Sequence, residues 1–272
     1  MINLILAIAS SSLIALLMRL SERYSKNNLS MLAMNYLMCA VLSAFFMGEA
    51  GSFTPATAGM GVVSGVLYLA SFMLLQWNIS TNGVVLSSTF MKLGVLVPTA
   101  LAITVFGETP QLTQILGIIA AVCAIFLIQG GGKQEAGSVT GLIVLLLSGG
   151  ITDSMAKVFE SMGETQLKGQ YLLFTFGVAM VLCIALCAVK KQKLCAADAL
   201  FGLAIGVPNY FSSWFLLKAL ESVPAVVTYP TFSVGTIVCV AAAGVLLFKE
   251  KLSKRKMIAL GVILVALALL NL

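Results

Sequence analysis

Histidine is absent from this chain of 272 residues, and charged side chains of all kinds make up only 10% of it. Without histidine the commonest general base is missing, which excludes many hydrolase mechanisms, and we do not expect an enzyme. The six cysteines form no CxxC pair and have no histidine to complete a zinc site, so we expect neither a metal nor a cofactor. No phosphate-binding loop motif is present, so direct drive by ATP is not expected.

Apolar residues dominate the composition and make up 60% of the chain. A soluble domain cannot hide so much apolar surface, since its exterior must be largely polar. Runs of about 20 apolar residues, enough to cross the hydrocarbon core of a bilayer, recur along the whole sequence. The expected partner of this surface is therefore the lipid bilayer. The net charge of +6 is a topology signal and not evidence for nucleic-acid binding.

The hydrophobic runs predict an all-α integral membrane protein with ten transmembrane helices. Helices are favoured because nothing in the sequence alternates with the short period of transmembrane barrel strands. The predicted spans are 2–20, 29–48, 56–77, 82–106, 111–130, 139–159, 170–189, 197–220, 224–248 and 254–272.

One stretch of the sequence occurs twice. Residues 84–108 align without a gap with residues 226–250, and seven aligned positions are identical. The identical pairs are Val84/Val226, Val85/Val227, Thr89/Thr231, Phe90/Phe232, Ala100/Ala242, Phe106/Phe248 and Glu108/Glu250. Paired halves around a central site are the commonest architecture of secondary transporters, so the repeat indicates small-molecule transport.

The repeat divides the chain into a first five-helix repeat (1–129), a linker (130–138) and a second five-helix repeat (139–272). The linker, GGGKQEAGS, has the glycine-rich composition of a flexible connection. Because five is odd, the second half must enter the membrane in the opposite orientation, which makes this a 5+5 inverted repeat. Both halves are present on one chain, so oligomerisation is not needed and a monomer is expected.

Positive charges are distributed unevenly between the loops of the two membrane faces. Twelve Lys and Arg residues fall on one face and three on the other, with Lys92 left inside the membrane. The positive-inside rule then places both termini outside the cytoplasm. The expected location is the inner or plasma membrane of the cell.

Short motifs at matching places in the two halves resemble the drug/metabolite transporter superfamily, specifically its EamA-domain branch. The first half has Val97-Pro98, then Phe106-Gly107-Glu108 and Gly117, and the second half has Phe248-Lys249-Glu250 and Gly261. The resemblance implies a central cavity lined by spans one to four and six to nine, with spans five and ten peripheral. It also implies termini in the cytoplasm, opposite to the charge pattern, so the orientation stays open. Its members transport amino acids, nucleotide-related metabolites, choline-like cations or toxic compounds.

Lys92 and Asp153 are the charged residues that we expect to carry the mechanism. Lys92 lies within span four, where an unpaired ammonium costs about 3 kcal/mol or more, so it should face a partner or a wet cavity. Asp153 in span six is the natural partner, and it could carry a coupling proton, contact a substrate amine or only neutralise Lys92. A fixed ion pair that orders the helices is the structural alternative. The neighbouring Gly149-Gly150 is expected to serve helix packing.

Polar and aromatic residues are concentrated in spans two, three, eight and nine. Transport pockets are mostly apolar with a few placed polar groups, and aromatic faces can hold cations. The candidate pocket residues are Asn35, Tyr36, Tyr68, Asn209, Tyr210 and Trp214. Glu108 and Glu250, by contrast, are expected to be structural residues at the N-terminal ends of spans five and ten.

These features predict a secondary transporter that moves a small polar or amphipathic metabolite by alternating access. Protons are a candidate coupling ion. The alternative within transport is a multidrug exporter of lipophilic cations that uses Asp153 as its binding carboxylate. A membrane scaffold without transport activity is the alternative outside transport, and the inverted repeat around a charged midplane disfavours it.

Overall fold

The computed structural model describes residues 1–47, 54–129, 137–248 and 254–271. Every long element in these ranges is an α-helix, which confirms the all-α prediction. The helices are α1 (Ile2–Ser21), α2 (Asn28–Phe45), α3 (Pro55–Leu93), α4 (Leu96–Thr104), α5 (Leu112–Gln129), α6 (Val139–Met162), α7 (Lys168–Val189), α8 (Ala196–Leu220), α9 (Ala225–Phe248) and α10 (Lys254–Leu270). Residues 130–136 of the predicted linker, and Glu250, lie outside the described residues.

Eight membrane spans are long and apolar enough by themselves, and the shorter apolar helices Leu112–Leu127 and Met257–Leu270 complete the predicted ten within the described ranges. The boundary between spans three and four differs from the prediction. Instead of a loop after residue 77, α3 continues through Gly83, whose φ of 76° and ψ of 165° redirect the helix. Glycine accepts this backbone conformation at no steric cost. The spans on either side are Pro55–Gly83 and Leu86–Thr104.

The chain forms two compact units. Unit 1 comprises Met1–Leu69 and Val158–Ala219, and unit 2 comprises Ala70–Lys157 and Leu220–Leu272. Each unit therefore combines helices from both predicted repeats. The repeat limits themselves, 1–129 and 139–272, stay a prediction.

Unit 1 is held together by two close helix contacts that mirror each other. Gly61 and Gly65 of α3 lie directly against the backbone of α7, and Gly202 and Gly206 of α8 lie directly against the backbone of α2. A Cβ atom at any of the four positions would approach a neighbouring atom to 2.6 Å or less. Small residues spaced four apart are the usual means by which membrane helices approach closely. Helices two and seven, like three and eight, are equivalent in the predicted inverted repeat.

In unit 2, α5 packs along α10, and both contact α9. Their shared core contains Ala121, Ala124, Val234, Ile263 and Ala266. Gly117 of α5 lies close to the backbone of α10 at Leu270. The small residues let the two helices approach, and the branched ones fill the space between them.

Asp198 ties the start of α8 to the loop between α1 and α2 within unit 1. Its Oδ1 atom accepts hydrogen bonds from the Ser25 hydroxyl at 2.8 Å and the Lys26 N–H at 2.9 Å, with a longer one from the Asn27 N–H at 3.3 Å. Oδ2 accepts the Cys195 N–H at 3.3 Å. The carboxylate is fully buried, so these donors are what stabilise its charge.

Substituting Asp198→Asn is expected to destabilise the protein by about 1.5–3 kcal/mol, because an amide is a weaker acceptor and one of its sides is a donor. The change should appear as a lower melting temperature in detergent. Glu164→Gln, an exposed carboxylate whose side chain caps no helix, is the matched control and should melt like the wild type. An Asp198→Asn protein that melts with the control would contradict this role.

Candidate functional site

Lys92 and Asp153 lie in the same unit, unit 2, and attract each other electrostatically. Both side chains are exposed although both belong to membrane spans, Leu86–Thr104 and Val139–Met162. Among the described residues the two do not form an ion pair within 4.0 Å. The ammonium and the carboxylate are therefore within electrostatic range of each other but more than 4.0 Å apart, and they do not form a closed salt bridge.

A contact between two backbones explains why these charges are neighbours. The helix of span four is interrupted between Leu93 and Leu96, and the Gly94 N–H there is shared between the carbonyl oxygens of Phe90 and Met91, each at 3.2 Å. Gly94 lies directly on Gly150 of α6, where a Cβ atom would come within 2.5 Å of the Gly94 carbonyl oxygen. Lys92 precedes this contact and Asp153 follows it. Packing thus brings the two charges into range, which agrees with the packing role expected for Gly149-Gly150.

Further contacts fix α6 around Asp153. The Tyr229 hydroxyl of α9 donates a hydrogen bond to the Asp153 carbonyl oxygen at 3.0 Å. The buried Ser71 hydroxyl of α3 lies 2.7 Å from the hydroxyls of both Ser148 and Thr152, and Thr152 directly precedes Asp153. These bonds engage the backbone and the neighbouring side chains, and the carboxylate of Asp153 takes no part in them. Asp153 is held in position by its surroundings while its charge stays available.

The predicted pocket residues from spans two, three and eight come together in unit 1. The Asn209 amide donates to the Asn35 carbonyl oxygen across 3.2 Å, and Asn35 is buried. The Cys39 thiol, one turn further along α2, donates to the Gly206 carbonyl oxygen at 3.2 Å. The two asparagines therefore already satisfy part of each other's hydrogen-bonding capacity.

The aromatic candidates of unit 1 contact one another in two pairs, each with a member next in sequence to one of the asparagines. The Tyr36 and Tyr68 rings meet edge to face with centroids 6.3 Å apart, and the Tyr210 and Trp214 rings stack at 5.9 Å. Tyr36 and Tyr210 are buried, whereas Tyr68, Asn209 and Trp214 are half-buried. The Lys218 ammonium lies 5.4 Å from the centroid of Trp214. The exposed face of Trp214 thus already holds a cation of the chain itself.

The Tyr210 hydroxyl is buried and has no hydrogen-bond partner among the described residues. An unsatisfied buried hydroxyl costs about 1–3 kcal/mol. Such a cost is often found where a ligand or water supplies the missing partner.

Each predicted group is thus assembled inside one unit: Lys92 with Asp153 in unit 2, and Asn35, Tyr36, Tyr68, Asn209, Tyr210 and Trp214 in unit 1. Sequence reasoning missed Gly94 and the bond from Tyr229 to the backbone at Asp153. The interruption at Gly94 could have been predicted from the sequence. Glycine has a low helix propensity, and Pro98, one turn later, cannot donate the helical hydrogen bond to the Gly94 carbonyl oxygen. Nothing in a single sequence indicates the partner of Tyr229.

The expectation for Glu108 needs a correction. It was placed at the N-terminal end of span five, but its carboxylate accepts the N–H groups of Ala225 and Val226 at 3.0 and 2.9 Å. It therefore caps α9. The Lys157 ammonium pairs with the same carboxylate at 3.1 Å. The local sequence explains why Glu108 does not continue α4. Gly107 has a φ of 69°, the left-handed conformation that commonly ends a helix, and it changes the direction of the chain just before Glu108.

A cavity of about 730 Å³ lies elsewhere in unit 2, between α4 and α5. Its lining is mostly aliphatic, with Thr99, Glu108 and Thr109 as the polar members, and it includes neither Lys92 nor Asp153. Several of its isoleucines are exposed on the outer face of the helices, the usual position of lipid-facing side chains. We assign this cavity no part in binding a polar substrate. In the described part of the chain, no three acidic or cysteine side chains are grouped so as to hold a metal ion.

Comparison with known proteins adds three findings. Residues 137–272 match the model of the EamA-like transporter family. An uncharacterized protein of Haemophilus influenzae is 25% identical over 268 residues, which is 93% of this chain and 91% of that protein. A solved crystal structure superposes with a TM-score of 0.78 at 12% identity, covering 98% of this chain and 94% of the other. The last likeness concerns the fold alone.

Proposed function

The chain belongs to the EamA-like transporter family, and from this premise we propose that it is a secondary transporter that moves a small polar or amphipathic metabolite by alternating access. Proteins of this family are membrane transporters and not enzymes. The chain is accordingly an integral protein of the cell membrane. Our proposal concerns the class of substrate, the alternating-access mode of transport and the coupling ion.

The observation that carries this proposal is that Lys92 and Asp153, two opposite charges within the spans, attract each other without forming an ion pair within 4.0 Å. A charge exposed to lipid inside a span costs about 3 kcal/mol or more, so two exposed charges on neighbouring helices are expected to face water. The ammonium can bind an anionic group of the substrate and the carboxylate can bind a cationic group or a proton. Because the two charges are close but not paired, a polar molecule can enter between them without first breaking a salt bridge.

The polar and aromatic residues of unit 1 are proposed as a separate candidate group for binding, within that unit. The Tyr210 hydroxyl is the donor that a substrate could satisfy, and Tyr68, Asn209 and Trp214 are only half-buried. Apolar walls with a few placed polar groups are the usual composition of a transport pocket.

Two charges work against the alternative of a lipophilic-cation exporter. The ammonium of Lys92 repels a second cation near Asp153, and the ammonium of Lys218 already occupies the face of Trp214. A cationic drug bound at either group would have to displace or tolerate the ammonium of that group.

Ligand-induced thermal stabilisation of the purified protein tests the proposal. The panel contains inorganic and organic anions, amino acids and lipophilic cations. A ligand at a concentration 100 times its Kd stabilises the folded state by about 2.7 kcal/mol, which a melting curve resolves. We expect an anionic or zwitterionic compound to stabilise the wild type and to lose this effect in Lys92→Gln. Lys193→Gln, a change of the same kind on an exposed loop, should leave the effect intact.

Two results would contradict the proposed role of Lys92. Stabilisation that survives Lys92→Gln would make Lys92 a structural residue and direct attention to Asp153 and the aromatic residues. Stabilisation by lipophilic cations alone, lost in Asp153→Asn, would favour the exporter alternative.

A further inference from the structure

Glu108 and Lys157 form an ion pair in unit 2, where the last α6 residue of this unit meets the start of α9. Their side chains are 15% and 11% exposed, so the pair is largely withdrawn from water. The Lys157 ammonium also lies 5.5 Å from the centroid of the Phe106 ring. Including the two N–H groups of α9, the single carboxylate of Glu108 receives three donors. Neither residue belongs to the binding groups described above.

Lys157 belongs to the same helix as Asp153, α6. Lys157 is one helical turn after Asp153, which is about 6 Å along the axis. Along α9 the order is reversed: Ala225 and Val226 bind Glu108, and Tyr229, one turn later, binds the backbone at Asp153. Helices α6 and α9 are therefore antiparallel neighbours with two connections. The outer connection is ionic and the inner one is at the proposed coupling residue.

The two connections between α6 and α9 differ in strength. The inner one includes the hydrogen bond from the Tyr229 hydroxyl to the Asp153 carbonyl oxygen, a bond between neutral groups with a net value of about 1 kcal/mol. The outer one joins three separate segments through one carboxylate: α6, the start of α9 and the loop after α4. Charge-assisted hydrogen bonds are roughly twice as strong as neutral ones. The outer connection is thus the one that keeps the first turns of α9 against α6.

We infer that Glu108 and Lys157 are positioning residues that act as a latch: paired, they hold α9 against α6 and cover the approach to Asp153 from this end of unit 2, and transport requires their release. This rests on the proposed function. A carboxylate that only caps a helix would stay in place throughout the transport cycle. A latch must open once in every cycle, and this difference can be measured.

Cross-linking tests whether the pair must open. Glu108→Cys and Lys157→Cys are combined in a chain whose six native cysteines are serine, and the two thiols are joined by a short bifunctional methanethiosulfonate. The protein is reconstituted into vesicles, and uptake of the compound found by the stabilisation panel is measured. We expect uptake in the reduced protein, at least a tenfold loss after cross-linking, and recovery with dithiothreitol. Uptake that is unchanged by the cross-link would overturn the latch.

A labelling experiment tests the same inference without a substrate. Thr228 lies in the first turn of α9 and is fully buried, so Thr228→Cys in the cysteine-free chain should react slowly with a hydrophilic maleimide. Adding Glu108→Gln should raise the rate of reaction at least tenfold, which corresponds to about 1.4 kcal/mol in favour of the open state. Glu108→Asp keeps the charge and should raise the rate less than Glu108→Gln does. Glu164→Gln should leave the rate unchanged.

The two experiments separate failure of the latch from failure of the proposed function. If no compound is transported by any variant but Glu108→Gln still accelerates labelling, the pair does hold α9 against α6 and it is the transport proposal that fails. If labelling is the same with and without Glu108→Gln, the latch is wrong whatever the uptake shows. A Glu108→Gln protein that does not fold leaves the cross-link as the deciding measurement.

Discussion

Asparagine in place of Asp153 is expected to lower uptake into reconstituted vesicles about 100-fold. The amide has nearly the same size but cannot carry the charge that attracts Lys92 or a cationic group of the substrate. Removing one partner of a buried, hydrogen-bonded pair of charges costs about 2–5 kcal/mol, and we take the lower part of this range because Lys92 and Asp153 are exposed and not directly paired. At 1.4 kcal/mol for each factor of ten, this gives the expected loss.

Initial rates of uptake measure this effect, with Glu160→Gln on the same helix as the matched control. The control removes a carboxylate near the end of α6 and should keep uptake within a few-fold of the wild type. Uptake by Asp153→Asn that is equally close to the wild type would show that the charge of Asp153 is not needed. It would also leave the pair as a structural feature of unit 2.

Valine in place of Gly150 is expected to destabilise the protein strongly, by about 3 kcal/mol or more. A Cβ atom at this position would come within 2.5 Å of both the Gly94 carbonyl oxygen and the Val97 Cβ atom. A backbone atom cannot move aside as a side chain does, so α4 and α6 would have to separate. The melting temperature in detergent should fall by roughly 5–10 °C.

The neighbouring glycine supplies a close control. A Cβ atom on Gly149 would meet the Met91 Sδ atom at 2.9 Å, and a methionine side chain is flexible enough to move. Gly149→Ala should therefore cost much less than Gly150→Val. If the two proteins melt at the same temperature, the contact between Gly94 and Gly150 does not hold these helices together, and our explanation for the nearness of Lys92 and Asp153 is wrong.

The candidate site could be predicted in part. Charges within apolar spans are conspicuous in any sequence, because inserting them is costly, so Lys92 and Asp153 could be singled out without a structure. The residues chosen from spans two, three and eight were chosen as polar interruptions, and the structure assembles them around Asn35 and Asn209 in unit 1. Their part in binding stays a proposal. The latch could not be found this way, because the end of α4 meets the start of α9 only through folding.

Glu108 shows the limit most clearly. Its place after an apolar run indicates a residue at a helix end, and it does cap a helix. From the sequence, the helix near Glu108 is span five, since Thr109-Pro110 follows directly. The carboxylate instead binds the N–H groups at the start of α9, more than one hundred residues away. A free helix N-terminus attracts any nearby carboxylate, and only the packing decides which one is near.

The sequence by itself determined the membrane, the ten helices and the repeat, since the length of an apolar run and the identity of aligned residues are local properties of the chain. It also determined that two opposite charges lie inside the spans. Only the tertiary structure decided that Gly94 lies on Gly150, that Lys92 and Asp153 are neighbours without being paired, and that Glu108 joins Lys157 to α9. These contacts join helices that are all apolar, so lipid solvates each of them about equally well. Close packing and hydrogen bonding, not hydrophobicity, select among such helices.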